Sequence, residues 1–501
     1  MKIFISYPPL ESEKGVALLA QNRQFQWFKK PTYIYPVVPA QAASLLKAKG
    51  YDVVWDDAIA EGKTYSKWLE NIKARKPDVV VFETKTPVIK QHWRIINELR
   101  TTNFKLQTVL MGDHVTAMPE ESFENSKVDY VITGGDYDFL LLSLCEFLSK
   151  NSPDSELPTP NSLEPGIYYR ANGKVVNTGK FRLNHDLNQL PFIDRDLTKW
   201  QLYAYENGNY KCVPGTYTMA GRDCWWAKCR FCSWTTTYPT FRARSPKNLL
   251  DEIGELIEKH DVKEIMDDTG TFPVGNWLRE FCRGMIERGY NKKVNLDCNM
   301  RFNGVTAEDY KLMKQANFRL LLFGIESANQ ATLDRIDKGV TIEEIKESCK
   351  NARAAGLFPH ITIMFGYPWE TEEDAKKTLE FGKWLLKKGY AYTVQATVVI
   401  PYPGTPLFAE CKENGWLKTT DWDKYDMKEP VMKTLMEDEW VMKLVQGIYS
   451  VAFSPEFIFR RVTSVTSMSD IKYFTRGIKK VMGHIFDFNP KGKNCGCKTC
   501  K

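Results

Sequence analysis

The feature that most restricts the fold is an alternation of short, β-branched apolar runs with stretches of helical periodicity. It occurs twice along the 501 residues. In the first series, Lys2–Tyr7, Tyr51–Trp55, Asp78–Phe82, Leu106–Met111 and Asp129–Ile132 read as strands, with helices at Pro39–Lys49, Ser66–Ala74 and Gln91–Arg100. This pattern predicts a doubly wound, Rossmann-like parallel sheet with helices on both faces. Ligands of such sheets sit beyond the carboxyl ends of the strands. The chain places Glu83, Thr84 and Thr86 there, then Gly112, Asp113, His114, Val115 and Thr116, then Thr133, Gly134, Gly135 and Asp136.

The second series begins near residue 215. Its strand candidates are Tyr217–Ala220, Glu264–Asp267, Val294–Asn299, Arg319–Gly324, His360–Phe365 and Thr393–Ile400, with helical patterns at Leu249–Glu258, Trp277–Arg288 and Ala375–Lys387. Six strand–helix units predict a partial (β/α)6 barrel of the TIM type, since eight would need more chain than remains. Ser245-Pro246 supplies a helix start, with Ser as N-cap and Pro at the first helical position. The α/β organisation expected is a sheet domain over 1–150, a linker and hairpin over 151–210, the barrel over 211–415 and a helical, basic region over 416–501. Four prolines in Asn151–Pro165 mark the linker, and Ile167–Val176 reads as a hairpin turning at Ala171-Asn172-Gly173-Lys174.

Charge narrows the partners. The chain carries a net +7, but Arg460–Lys501 holds ten Lys/Arg against two Asp, so the body is close to neutral. That excludes a chain-wide nucleic-acid footprint. The absence of a long apolar run or signal-like start points to a cytoplasmic protein. The mixed basic and apolar stretch Phe457–Ile485 is a candidate for peripheral contact with a membrane, or for a basic helix packed on the barrel.

Twelve cysteines without an export signal argue against a disulfide framework. Cys224, Cys229 and Cys232 fall in one loop after the first barrel strand, and Cys495, Cys497 and Cys500 close the chain. Soft thiolates select zinc or iron–sulfur clusters. Three local ligands without a fourth point to a cluster with one open iron, whereas a zinc loop would have to recruit Cys212.

On these residues the chain resembles the radical SAM superfamily, and within it the subgroup with an N-terminal cobalamin-binding domain. The subgroup includes methyltransferases and the anaerobic magnesium-protoporphyrin ester oxidative cyclase. The C-x4-C-x2-C spacing is one residue longer than the common C-x3-C-x2-C. The resemblance implies that Cys224, Cys229 and Cys232 hold a 4Fe–4S cluster whose fourth iron binds S-adenosylmethionine, and that Phe231 contacts adenine. It also implies that Asp267 and Asp268 bind the methionine amino group and that Arg301 can hold a carboxylate. Glu326 and Ser327, in Gly324-Ile325-Glu326-Ser327, would lie near the ribose and methionine. Glu370 reads as a helix-start residue and Gly404-Thr405-Pro406 as a turn.

In the sheet domain, Gly112–Glu121 and Val131–Asp136 resemble cobalamin-binding segments. The cobalamin-contacting candidates are Thr84, Gly112, Asp113, His114, Thr116, Gly134 and Gly135. Adjacent Asp113-His114 has the wrong spacing for a cobalt ligand, so His114 is expected to be structural or to touch the nucleotide tail. The function implied is reductive cleavage of S-adenosylmethionine to a 5′-deoxyadenosyl radical that serves methylation of an unactivated carbon. Alternatives are cobalamin-assisted oxidative cyclisation or rearrangement, and a non-catalytic iron–sulfur or zinc module. An external electron donor such as flavodoxin or ferredoxin and a small-molecule or lipid-like substrate complete the expected partners.

Overall fold

A computed structural model describes residues 1–19, 25–29, 31–101, 105–150, 163–465, 470, 471, 473 and 475. Cys495, Cys497 and Cys500 lie outside them, as does most of the basic stretch beyond residue 465.

The first sheet has the order Asp52–Asp57, Lys2–Tyr7, Val79–Thr84, Gln107–Gly112, Tyr130–Ile132, Ile167–Ala171, Lys174–Asn177. The first five strands run parallel, and the hairpin adds two antiparallel strands at the edge. The hairpin, expected within a connecting segment, is thus part of this sheet, with Ile167 pairing to Ile132. Val79–Thr84 is buried along its whole length, as a central strand covered on both faces must be.

The second sheet runs in sequence order, all parallel: Gly215–Thr218, Glu264–Asp267, Asn295–Met300, Phe318–Glu326, Phe358–Phe365 and Thr393–Val398. These are the six expected strands, shifted by one or two residues at their ends. The helix Pro246–His260 starts at Ser245, whose hydroxyl accepts from the Asn248 amide. It buries Leu249, Ile253 and Leu256, one stripe at helical spacing.

The amino ends of the barrel strands are closed by charge. Arg319 Nη2 donates to Glu264 Oε1 at 2.6 Å and to Asp297 Oδ2 at 2.7 Å, and all three groups are buried. Burial and the neighbouring Glu264 charge hold Asp297 well above the usual carboxylate range, against the pull of Arg319. One guanidinium shared by two carboxylates leaves room for a proton on Asp297.

The two domains meet carboxyl end to carboxyl end. Arg222, the second residue of the barrel's Gly221–Arg222 strand, reaches into the sheet domain and donates to Asp136 at 2.8 Å and to both oxygens of Asp138. Arg242 donates to Asp136, which also bonds His185 Nδ1 at 2.8 Å, while His185 Nε2 bonds Glu164 at 2.9 Å. Burial opposes ionisation of Asp136, but the Arg222 charge and the bonds from His185 and Arg242 hold it well below the ordinary range. Partial burial lowers the His185 pKa, yet its bonds to Asp136 and Glu164 raise it to about 9.

Removing Arg222 would leave the buried Asp138 without its cation and take one of three cationic partners from Asp136. Arg222→Met should lower the unfolding free energy by about 3–5 kcal/mol in denaturant titration. His185 stabilises the fold while protonated. That contribution is complete below an unfolded-state pKa of about 6.5 and is lost as pH rises through about 9. The melting temperature should therefore decline between those pH values, and His185→Phe should flatten the decline.

Candidate active site

The cysteine loop is pinched at its base where Gly221–Arg222 pairs antiparallel with Arg242–Ala243. The chain then turns through two non-glycine residues in the left-handed region, Asp223 at φ 81° and Ala227 at φ 49°. Ala227 belongs to the long spacer Trp225-Trp226-Ala227-Lys228, and its turn takes up the extra residue. The loop is fastened at its far side by Arg230 N donating to Ile336 O at 3.0 Å and by Leu407 N donating to Arg230 O at 2.9 Å. Gly270, just past the second strand, leaves the space the loop occupies: a Cβ there would stand 2.8 Å from Asp223 C and 2.9 Å from Cys224 N.

Cys224, Cys229 and Cys232 line a cavity of about 240 Å³ within the barrel. Phe231, Arg301 and Glu326 line it too, together with Asn299, Thr271, Lys338, His360, Thr362, Gln395 and Tyr402. Among the described residues, no three His, Cys, Asp or Glu converge closely enough to hold one metal ion. Three thiols that line one cavity offer soft ligands of the kind that zinc or an iron–sulfur cluster takes. Cys212 does not join them. Its thiol accepts from Asn295 at the amino end of the third strand, whereas Cys224 contacts Thr271 Oγ1 beyond the carboxyl end of the second. A strand length separates the two positions, which removes the zinc arrangement that needs Cys212.

Arg301 is held between Trp225 and Trp226, with its guanidinium 5.4 Å and 4.7 Å from the ring centres. One nitrogen donates to the Lys338 carbonyl, and Nη1 lies 3.9 Å from Cys229 Sγ. Its Nε is buried without a hydrogen-bond partner, so a donor remains for a bound anion. Glu326 follows a register shift in the fourth strand and sits at φ 68°, which turns its carboxylate onto Lys338 Nζ at 2.7 Å. Bulges of this kind re-aim side chains beside active sites. Gly324 leaves room for that pair: a Cβ there would meet Glu326 Oε1 at 2.0 Å and Lys338 Nζ at 2.8 Å. Burial raises the Cys229 thiol pKa, while the Lys338 and Arg301 charges lower it.

Other candidates stand behind this wall. Asp267 does not line the cavity. It accepts from Ala220 N at 2.7 Å and Thr218 Oγ1 at 3.1 Å, capping the approach to the cysteine loop, and burial lifts its pKa to about 6. Asp268 is buried beside it, with its amide donating to Thr218 O. Ser327 donates to Glu370 Oε1 at 2.6 Å. Glu370 is fully buried with its pKa raised by burial to about 7; the cap of the following helix is Thr371, so Glu370 braces Ser327 instead of starting a helix.

The sheet-domain candidates cluster on the side facing the barrel and are largely bonded to one another. Thr84 bonds His92 Nδ1 at 2.8 Å. Thr116 donates to Gly112 O at 2.7 Å and accepts from Gly134 N at 3.1 Å. Gly112, at φ 134°, presses on Thr84 O, where a Cβ would stand 2.0 Å away. His114 has both ring nitrogens engaged, by Thr86 and Glu121. Gly134 and Gly135 accommodate the rings of Phe181 and Tyr238, so protein covers the faces where a flat ligand was expected. Asp113 remains partly exposed, and burial first and then the Asp113 charge raise the pKa of Tyr402 at the cavity. Gly404 also works at this seam, because a Cβ there would meet Ala117 at 2.8 Å and Thr236 at 2.7 Å.

Lys338, the tryptophan pair and the Asp136–Asp138–Arg222–Arg242 cluster escaped sequence reasoning. Lys338 sits in an ordinary Asp-Lys-Gly turn without a spacing signal. Asp136 was legible as a polar residue at a strand end, but its partners across the domain contact were not.

Residues 220–382 match the family model of the radical SAM superfamily. The chain is 28% identical over 418 residues to an uncharacterized methyltransferase of Pyrococcus horikoshii, covering 83% of this chain and 86% of that one. It is 28% identical over 407 residues to the anaerobic magnesium-protoporphyrin IX monomethyl ester cyclase of Cereibacter sphaeroides, covering 79% of this chain and 63% of the cyclase. Two solved structures share the fold over 97% of this chain. They are the cobalamin-dependent S-adenosylmethionine radical enzyme OxsB, at TM-score 0.68, 16% identity and 71% of its length, and the radical SAM methyltransferase TsrM from Kitasatospora setae, at TM-score 0.66, 14% identity and 99% of its length.

Cys229→Ala should abolish cluster iron after anaerobic reconstitution, whereas Cys212→Ala should retain it. Gly270→Val should displace the cysteine loop and cut bound iron severely while the α/β circular dichroism persists. Iron content per chain checks all three.

Proposed function

We propose that the chain is a cobalamin-dependent radical SAM enzyme that methylates an unactivated carbon. The observation that carries this reading is the set of three thiols lining one barrel cavity, in a loop that begins beside the Arg222 contact to the doubly wound sheet. The methyltransferase relatives and the two structural neighbours support it. When bound, the iron–sulfur cluster, S-adenosylmethionine and cobalamin supply the electron, the radical source and the methyl carrier.

The chain's own residues hold and orient these groups. Cys224, Cys229 and Cys232 offer three thiolates and leave one iron of a four-iron cluster open. Arg301, with its free Nε, and Lys338 present positive charge on the same wall, suited to the carboxylate of S-adenosylmethionine. Glu326, partnered by Lys338, suits the ammonium or ribose hydroxyls, and Phe231 gives an apolar face for adenine. Asp267, Ser327 and Glu370 are positioning residues that fix the strand ends behind that wall. On the sheet side, Gly112 and Asp113 border the seam, and both nitrogens of His114 are occupied. Gly112 and Asp113 would border a bound corrin, and His114 would brace that edge through Thr86 and Glu121. This chemistry requires a reducing cytoplasm and an external donor of the flavodoxin or ferredoxin kind.

The cyclase relatives favour a second reading, oxidative cyclisation. Anaerobically reconstituted protein with reductant should convert S-adenosylmethionine to 5′-deoxyadenosine. Methylation should also release S-adenosylhomocysteine, and cyclisation should not. A fully loaded, reduced cluster that cleaves no S-adenosylmethionine would falsify both readings. Bound cob(II)alamin should show no superhyperfine splitting from a protein histidine nitrogen in its electron paramagnetic resonance spectrum.

A further inference from the structure

The amino end of the barrel carries a surface that the proposed chemistry does not use. The helix Pro455–Thr463 lies across it, anchored by Arg461 over the Tyr392 ring at 3.8 Å and by Arg460 Nε donating to Lys387 O at 2.8 Å. Phe457 faces inward under Arg461. The opposite face is apolar and uncovered. Phe459 is 70% exposed, Val462 67% and Ile458 47%, with Phe453 at 70% just before the helix and Val465 at 36% just after it. Ile458, Phe459, Val462 and Val465 follow helical spacing, so they form one stripe.

Cations border this stripe. Lys387 and Lys388 end the helix Glu372–Lys388 and are exposed. Farther across the same end of the barrel, an open groove is lined by Lys211, Lys263, Lys292 and Lys293, and it includes Ile471, another exposed apolar residue at 47%. Lys263 pairs with Asp261 and Lys211 with Asp470. Lys292 and Lys293 are exposed at the turn before the third strand. Glu456 is the acidic group on the stripe's own helix. The sequence onward from Arg460 adds to the same sign, with ten Lys/Arg and two Asp to residue 501.

We propose that this end of the barrel docks on an anionic lipid bilayer. Bulky apolar side chains flanked by cations are what an interfacial helix requires: the rings enter the acyl boundary and the cations meet lipid phosphates. A protein partner would be expected to cover the stripe with apolar surface of its own. The charge around it favours headgroups. Because the Arg319–Glu264–Asp297 cluster closes this end, docking fixes the enzyme's location and orientation and does not feed the cavity. The inference is therefore independent of the proposed reaction.

The test uses full-length protein and co-sedimentation with phosphatidylcholine vesicles, with and without about one third phosphatidylglycerol. Wild type should partition onto the anionic vesicles and release as salt is raised. Phe459→Asp with Val462→Asp, which leaves every tail cation in place, should weaken partition about tenfold or more. Lys292→Glu with Lys293→Glu should weaken it comparably. Both double variants should keep wild-type circular dichroism and, where the enzyme is reconstituted, wild-type iron content. Absence of binding to anionic vesicles would overturn the proposal. So would binding that is indifferent to the Phe459 and Val462 changes. A concentration-dependent dimer that these changes abolish, without vesicle binding, would assign the stripe to a second copy and overturn it equally.

Discussion

The rest of the structure depends on one buried guanidinium. Arg222 leaves the barrel two residues before the first cluster cysteine and ends between Asp136 and Asp138 of the sheet domain. Both partners are buried, and Arg242 and His185 also bond Asp136. A buried pair of this kind adds little net stability over an apolar alternative, but breaking it is costly, so it acts chiefly as a register pin. It sets where the cysteine loop begins relative to the strand ends of the neighbouring domain. The loop's other fastenings, at Ile336 and Leu407, come from the barrel alone.

The cavity wall is built by a different logic. Arg301 is stacked between two tryptophans, and Glu326 is turned by a bulge onto Lys338. Each cation thus has a fixed direction before any ligand arrives, and glycines at 270 and 324 provide the volume. Preorganised charge in a water-poor site acts more strongly than the same charge in solvent. The long cysteine spacer belongs to this design, since Trp225 and Trp226, which hold Arg301, both lie within it.

Fold class was legible because strand–helix alternation is a local, periodic signal, and all six barrel strands were found within a residue or two at most ends. The cysteines, Phe231, Arg301 and Glu326 were legible because they fall at strand ends in a fixed order. Asp267 shows the limit. A carboxylate at a strand end can face a ligand or cap neighbouring amides, and only packing decides between them. Gly134 and Gly135 show it again: small residues indicate that something approaches closely, and here that something is Phe181 and Tyr238. Lys338 and Asp136 act through partners distant in sequence, 12 and 86 residues away, and local pattern carries no trace of such pairings.

The plug of Arg319, Glu264 and Asp297 fills the amino end of the barrel with three buried ionisable groups. The contact between the domains lies at the opposite end, and Arg222, which makes it, stands two residues before Cys224. A rotation of one domain against the other would therefore pull directly on the start of the cysteine loop. The seam and the cavity wall are mechanically one piece, and a strain at the first is felt at the second.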